Sequence, residues 1–111
     1  MKEEKIGVIK SVKIGYMGYQ EAEFGLELNI DFKGSGVFAT FSDGWASGPD
    51  KRSKWTIEDH KTSMYKLNMK IIELLKKAKV DSIEKLKGKP VRCVFDINRL
   101  ESWDILEEAI L

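Results

Sequence analysis

The sequence contains few of the residues from which disulfides, metal sites and membrane spans are built. Its 111 residues include one cysteine, Cys93, and one histidine, His60. A single cysteine excludes an internal disulfide framework, and the two residues together supply too few ligands for a Cys/His zinc site. No apolar run approaches the roughly 20 residues that span a bilayer, and no apolar signal region follows Met1. We therefore expect a cytoplasmic protein that carries no metal.

What the sequence does contain is the composition of a folded domain. Hydrophobic residues make up 42% of the chain and charged residues 33%. These proportions are typical of a packed globule, not of a disordered or membrane-embedded chain. Because the length is close to that of one ordinary domain, we expect residues 1–111 to form a single domain.

Neither sign of charge is in large excess over the whole chain, but basic and acidic residues are unevenly distributed along it. The 19 basic and 18 acidic residues leave a net charge of +1. Segment 60–92 nevertheless holds ten basic and three acidic residues, whereas 93–111 holds one and five. A solvated, lysine-rich helix face explains the basic segment. A footprint for an acidic partner is the alternative, although a phosphate-binding surface usually has more arginine than Arg92 alone.

Alternating apolar residues predict three strands in the first part of the chain. They cover residues 6–14, 24–32 and 37–41. In the first strand Ile6, Val8, Val12 and Ile14 take alternate positions, with Lys10 as the one interruption. The second alternates without a break, which is typical of an antiparallel sheet with one wet face. Glycines predict turns at 15–20 and 33–36, and a loop is predicted over 42–54.

A long amphipathic helix is predicted over residues 57–79. Thr56 is the expected N-cap, with Asp59 in place of the usual Glu of a capping box. Apolar residues at i, i+3, i+4 and i+7 mark the face expected to be buried. They are Ile57, Met64, Leu67, Ile71, Leu74, Leu75 and Ala78. The residues expected to cover the opposite face are Lys66, Lys70, Glu73 and Lys77.

A short helical turn is predicted to begin at Asp81 and to end at Gly88. Two further strands are predicted over 91–97 and 100–106, joined by a tight turn about Asn98-Arg99. The order β-β-β-α-β-β predicts an α+β domain in which one long helix lies across an antiparallel sheet of about five strands. A small barrel of the oligonucleotide-binding type has the same element order and stays an alternative.

The residues that could carry catalysis fit structural roles better. His60 lies on the same side of the predicted helix as Met64, so we interpret it as a packed or capped histidine. Cys93 falls on the apolar side of its strand and is expected to be a buried hydrophobe. No nucleophile stands at a spacing typical of a catalytic triad. We therefore predict a protein that is not an enzyme and needs no cofactor; a hydrolase using Asp43 or Asp59 is the weaker alternative.

Several large side chains fall in the segments predicted as turn and loop, where the backbone is expected at the surface. The predicted binding residues are Tyr16, Met17, Tyr19, Asp43, Trp45, Lys51, Arg52 and Lys54. Surface aromatics beside basic residues suit the anchoring of a protein interface or stacking on unpaired bases. The alternative is that Tyr19 and Trp45 fold back to cover the open ends of the sheet. Trp55 and Trp103 follow the buried pattern and are predicted core residues.

Motifs spread over nearly the whole chain resemble a family of small proteins encoded in phages and related mobile elements. They are Gly18-Tyr19-Gln20, Trp45, Trp55-Thr56 with Asp59, Lys79-Val80, Leu86-Lys87-Gly88-Lys89-Pro90-Val91, Ser102-Trp103 and Ile105-Leu106. The resemblance implies an accessory protein acting in the cytoplasm of a bacterial host. Asp104 follows Trp103 where arginine is common in the family, so no role is assigned to a basic residue there.

Two functional hypotheses follow from the sequence and the resemblance. The first is a non-enzymatic, phage-type interaction protein that binds a host or phage macromolecule through residues 15–20 and 42–54, with inhibition of a host defence system as one such role. The alternative is a single-stranded nucleic-acid-binding protein, in which the lysine-rich segment neutralises phosphates and Tyr16, Tyr19 or Trp45 stacks on bases. Neither hypothesis involves a membrane.

Overall fold

The structure, a computed structural model, describes residues 2–17, 23–45 and 56–110, with the backbone alone for 42–45. Its strands are β1 (Lys2–Met17), β2 (Glu23–Asp31), β3 (Gly36–Trp45), β4 (Pro90–Asp96) and β5 (Arg99–Ile105). Helix α1 (Ile57–Ala78) lies between β3 and β4 in the chain, and short 3₁₀ turns cover Ile83–Leu86 and Glu107–Ala109. The predicted α+β class and its element order are confirmed.

The five strands form one antiparallel sheet in the order β3-β2-β1-β4-β5. Strand β1 is central because it is long enough to pair with β2 over residues 8–17 and with β4 over residues 2–8. Over the described residues the sheet is not closed into a barrel. Its edge strands β3 and β5 contact each other without forming a ladder, and α1 packs across both.

A bulge at Lys10 decides which residues of β1 face the core. Ile9 pairs with Ile30 before the bulge and Val12 pairs with Leu28 after it, so the inward positions change from odd to even. Ile6 and Val8 therefore lie on the opposite face from Val12 and Ile14. The prediction that all four share one face was wrong, because the interruption at Lys10 is an inserted residue and not a polar position within one alternation.

The core lies between the inward face of the sheet and α1. It includes Ile9, Leu26, Leu28, Ile30, Ala39, Leu67, Leu74, Ala78, Leu86, Val91, Cys93, Phe95, Ile105 and Ile110. Trp103 packs against this cluster, as predicted. Each buried leucine, isoleucine or valine side chain contributes roughly 1.5–3 kcal/mol through removal of apolar area from water.

Helix α1 begins where the sequence predicted it. The Thr56 hydroxyl accepts a hydrogen bond from the Asp59 amide at 3.1 Å, and the Asp59 carboxylate accepts one from the Thr56 amide at 2.9 Å. Asp59 thus completes the capping box in place of Glu. The helix ends at Ala78 because Lys79 adopts a left-handed conformation with φ 57°.

The buried face of α1 is confirmed except at its first residue. Leu67, Leu74 and Ala78 are buried, and Met64, Ile71 and Leu75 pack half-buried against the core. Ile57 was predicted on this face but is exposed. Leu75, 18 residues or five full turns later, has the same angle around the helix and packs against the core, so Ile57 is exposed because it lies in the first turn and not because of the helix phase.

Two lysines predicted to face solvent instead connect α1 to β5. The Lys70 ammonium lies 4.8 Å from the centre of the Trp103 ring. The Lys77 ammonium donates to Asp104 Oδ2 at 2.6 Å and forms an ion pair with Glu73 Oε1 at 2.9 Å. These two carboxylates raise the pKa of Lys77 above its ordinary range. The basic side of the helix is therefore partly a packing contact.

Strands extend into segments that were predicted to be turn or loop. Residues 15–17 belong to β1, and Gly15 pairs with Gly25 in the ladder. Residues 42–45 belong to β3. The β4–β5 turn is centred on Ile97 and Asn98, with φ 49° and 62°, and not on Asn98-Arg99. Pairing of neighbouring strands extends these elements beyond the point where apolar alternation ends.

Candidate interaction surface

Those predicted binding residues that the structure describes lie together at one end of the sheet. Met17 ends β1 and pairs with Glu23, the first residue of β2, and Glu23 pairs in turn with Trp45, the last residue of β3. Residues 14–17, 23–26 and 41–45 form this region, which is called the sheet end below. Two segments predicted separately for binding are therefore attached to the same edge of the fold.

Tyr16 is the most accessible aromatic side chain described at the sheet end. Its side chain is 54% exposed, and its ring meets Phe24 on β2 edge-on, with centroids 5.8 Å apart. Accessibility rises along the inward face of β1, from 1% at Ile9 to 41% at Ile14. Tyr16 is thus held on a paired strand by one aromatic contact while much of its ring faces solvent.

The other predicted binding residues have different positions. Met17 is buried, with 7% of its side chain exposed, so it contributes to packing and not to the accessible surface. Asp43 and Trp45 lie in β3, but their side chains are outside the described part of the structure. The remaining predicted residues, Tyr19, Lys51, Arg52 and Lys54, and the predicted core residue Trp55, lie outside the described residues.

The outer face of β2 and its neighbours is acidic. Glu27 and Asp31 project from this face, and Lys13 on β1 stands directly opposite Glu27. Phe38 on β3 shares the same face, opposite Asn29, and is 65% exposed. Phe38 therefore has two carboxylates, Glu27 and Asp31, as diagonal neighbours on β2, and carboxylates repel phosphate groups.

Several cations of the lysine-rich segment are bound by carboxylates of the same chain. Lys85 lies 2.6 Å from Asp81, and this hydrogen bond raises the pKa of Lys85 and lowers that of Asp81. Arg92 forms ion pairs with Glu4 and Glu108. Such exposed pairs contribute little to stability, but they reduce the local positive potential.

A second exposed apolar surface was missed by the sequence analysis. Tyr65, Met69 and Ile72 on α1 are 65%, 43% and 42% exposed. Their spacing of four and three residues places them on one side of the helix. The sequence does contain a signal for this surface, because apolar residues at i, i+4 and i+7 recur on the side of α1 opposite its buried face.

The two residues considered for catalysis, Cys93 and His60, are buried or half-buried within secondary structure. Cys93 is fully buried, as predicted, and burial raises its pKa to about 11, so the reactive thiolate is disfavoured at neutral pH. His60 is half-buried in the first turn of α1. Among the described residues, no three His, Cys, Asp or Glu side chains are grouped so as to hold a metal ion.

Over residues 2–17, 23–45 and 56–110 the fold is of the α+β class, with one open antiparallel sheet and one long helix. Comparison of the chain with protein-family models, curated proteins and solved structures finds no match. Within the described residues, no helix has both the length and the apolar character needed to cross a membrane.

Proposed function

We propose that the chain is a non-enzymatic interaction protein of phage type, which binds a protein of its host or phage through the sheet end. Tyr16 is the anchor of this proposal. Its position, half exposed and supported edge-on by Phe24 at 5.8 Å, is the observation that carries it. The proposed setting is the cytoplasm of a bacterial host, with inhibition of a host defence system as the role to be examined.

The geometry of Tyr16 favours protein binding for two reasons. Tyrosine offers a large contact area with few rotatable bonds, so little conformational entropy is lost when a partner covers it. The residue also sits within paired backbone, since it lies opposite Phe24 in the β1–β2 ladder. A partner would therefore meet a side chain that is already oriented, and Ile14 extends the apolar contact along the same face.

A pair of alanine variants, one at the sheet end and one remote from it, tests the proposal. Host lysate is passed over the immobilised protein, and the captured protein is identified by mass spectrometry and purified. The Tyr16→Ala variant should bind it at least about 30-fold more weakly, the effect of losing an interface anchor. Ile97→Ala removes an exposed apolar side chain from the β4–β5 turn, which lies at the opposite end of β1 from the sheet end, and should bind like wild type. Equal binding by the Tyr16→Ala variant would contradict the proposal.

Binding of single-stranded nucleic acid is the second candidate, and the strand order favours it. A sheet in the order β3-β2-β1-β4-β5, with a helix between β3 and β4, has the connectivity of an oligonucleotide-binding barrel opened between β3 and β5. In that architecture the ligand lies across the outer face of β2 and β3. Phe38 could stack on a base there, but Glu27 and Asp31 on the same face weaken the case.

Salt dependence distinguishes the two candidates. A nucleic-acid-binding protein should show oligonucleotide affinity that falls steeply between about 50 and 200 mM salt, measured by fluorescence anisotropy. Phe38→Ala should then weaken binding, whereas Ile97→Ala should not. Absence of binding at about 50 mM salt would exclude this second function and leave the protein-binding proposal in place.

A further inference from the structure

Helix α1 has two apolar faces, of which the sheet covers one. Tyr65, Met69 and Ile72 form the other, here called the outer stripe. Tyr65 and Leu74 are nine residues apart, which at about 100° per residue is two and a half turns, so their side chains leave the helix in opposite directions. Leu74 is fully buried and Tyr65 is 65% exposed. The outer stripe therefore points directly away from the core.

A shallow depression adjoins the outer stripe. It is lined by Met69, Ile72, Glu73, Lys76 and Lys77. Two of these side chains are apolar and three are charged, a mixture that is found in small protein interfaces. The exposed Tyr65 side chain lies one turn before Met69 on the same helix.

Charged residues bracket the outer stripe with opposite signs. The first turn of α1 is acidic, with Glu58, and the last is basic, with Lys76. These residues are 18 positions apart, or about five full turns, so both lie on the same side of the helix. Glu58 is 83% exposed, and its 3.5 Å contact with Lys61 is an exposed pair that costs little to exchange.

The charged ends and the apolar residues of the outer stripe are spaced symmetrically about position 67 of the helix. Leu67 lies midway between Glu58 and Lys76, and Tyr65 and Met69 lie two residues on either side of it. A two-fold axis at this level would place each Glu58 opposite the partner's Lys76 and each Tyr65 opposite the partner's Met69. Parallel pairing would instead bring like charges together at both ends.

We propose that α1 pairs with α1 of a second copy of this chain, in antiparallel orientation, through the outer stripe. Two Glu58–Lys76 ion pairs close the ends of the contact, and Tyr65 enters the partner's depression beside Met69. The opposed helix dipoles are also favourably arranged. This homodimer uses a different surface from the sheet end and does not depend on the proposed function.

Sedimentation equilibrium over roughly 5–500 μM protein tests the dimer, a range suited to an interface of so few side chains. The wild-type chain should change from monomer to dimer within this range. Tyr65→Asp should raise the dissociation constant by more than about tenfold, because it places a charge in the apolar contact. Tyr16→Asp adds the same charge at the sheet end and should dimerise like wild type.

Charge reversal tests the pairing itself. Glu58→Lys or Lys76→Glu alone should weaken the dimer about tenfold, because each replaces two attractive pairs with two repulsive ones. An equimolar mixture of the two variants should recover dimer formation, since all pairs between the two chains are then attractive. Far-UV circular dichroism confirms that each variant keeps its helix. A wild-type chain that stays monomeric, a dimer indifferent to Tyr65→Asp, or a mixture that fails to recover would each overturn the proposal.

Discussion

Replacement of Gly7 by alanine should destabilise the protein, although glycine is a poor strand residue. Gly7 lies in β1 opposite Val91. A Cβ atom built at this position would lie 2.6 Å from Ile30 Cγ2, 2.7 Å from Phe32 Cε1 and 2.9 Å from the Asp31 carbonyl oxygen. The two side chains could rotate, but the backbone oxygen could move only with the strand. The added methyl group must therefore push β1 and the end of β2 apart.

The magnitude follows from two opposing effects. Overpacking of a close contact costs about 1–3 kcal/mol. Alanine recovers about 0.5–1 kcal/mol relative to glycine, because it loses less backbone entropy on folding. The expected net loss for Gly7→Ala is thus about 1 kcal/mol in the free energy of unfolding, within a range of about 0–2.5 kcal/mol. At Gly15, in the same strand, an added Cβ would meet Lys13 Cε at 3.4 Å and no other atom of the described residues within 4 Å, so Gly15→Ala should be neutral or stabilising.

Urea denaturation of the two alanine variants measures this difference directly. If the slopes of the unfolding transitions agree, a shift of the midpoint reports stability alone. Gly7→Ala should unfold at lower urea than wild type, and Gly15→Ala at the same or higher urea. Wild-type stability in the Gly7→Ala variant, or an equal loss in both, would refute the close approach of β1 to the end of β2.

Three further predictions concern the helix and the core. Thr56→Ala should cost about 1 kcal/mol by removing the cap, whereas Thr62→Ala, exposed within the helix, should cost less in the same urea titration. Leu74→Ala should cost about 2–5 kcal/mol, more than Ile71→Ala, because only Leu74 is fully buried; equal costs would mean that the helix is rotated. The Cys93 thiol, with its pKa raised from 9.0 to about 11, should react slowly with a disulfide reagent at pH 8 and rapidly after unfolding. Rapid labelling of the native protein at pH 8 would contradict the burial of Cys93. Because the thiol loses its proton at lower pH in the unfolded chain than in the folded one, the contribution of the protonated Cys93 to stability is present below about pH 9 and is lost as pH rises towards 11.

The two proposals address separate surfaces and have consequences for each other. A dimer formed through the outer stripe would carry two copies of the sheet end. If one partner molecule offered two sites, both could be engaged together, which strengthens binding without any new contact. The Tyr65→Asp variant would then bind such a partner more weakly while its individual sheet end stayed intact.

The sequence by itself determined the elements that depend on near neighbours. The β2 alternation and the onset of α1 at Thr56 were readable because a cap and a strand face are set by residues within a few positions. Burial of Cys93 followed from its place in an apolar alternation. The order of elements then fixed the α+β class, since one long helix and an antiparallel sheet can bury their apolar faces only against each other.

Only the tertiary structure decided which faces are covered and which stay exposed. Tyr16 and Met17 are adjacent in β1, so the sequence places them on opposite faces of the sheet. Only the packing around the sheet decides that Tyr16 stays about half exposed while Met17 is buried. Likewise, the spacing of Tyr65, Met69 and Ile72 is readable in the sequence, but only the packing of α1 on the sheet shows that this stripe stays exposed. Hydrophobicity is a property of the residue, whereas burial depends on what another part of the chain brings against it, and that is set by register and helix orientation over long distances in sequence.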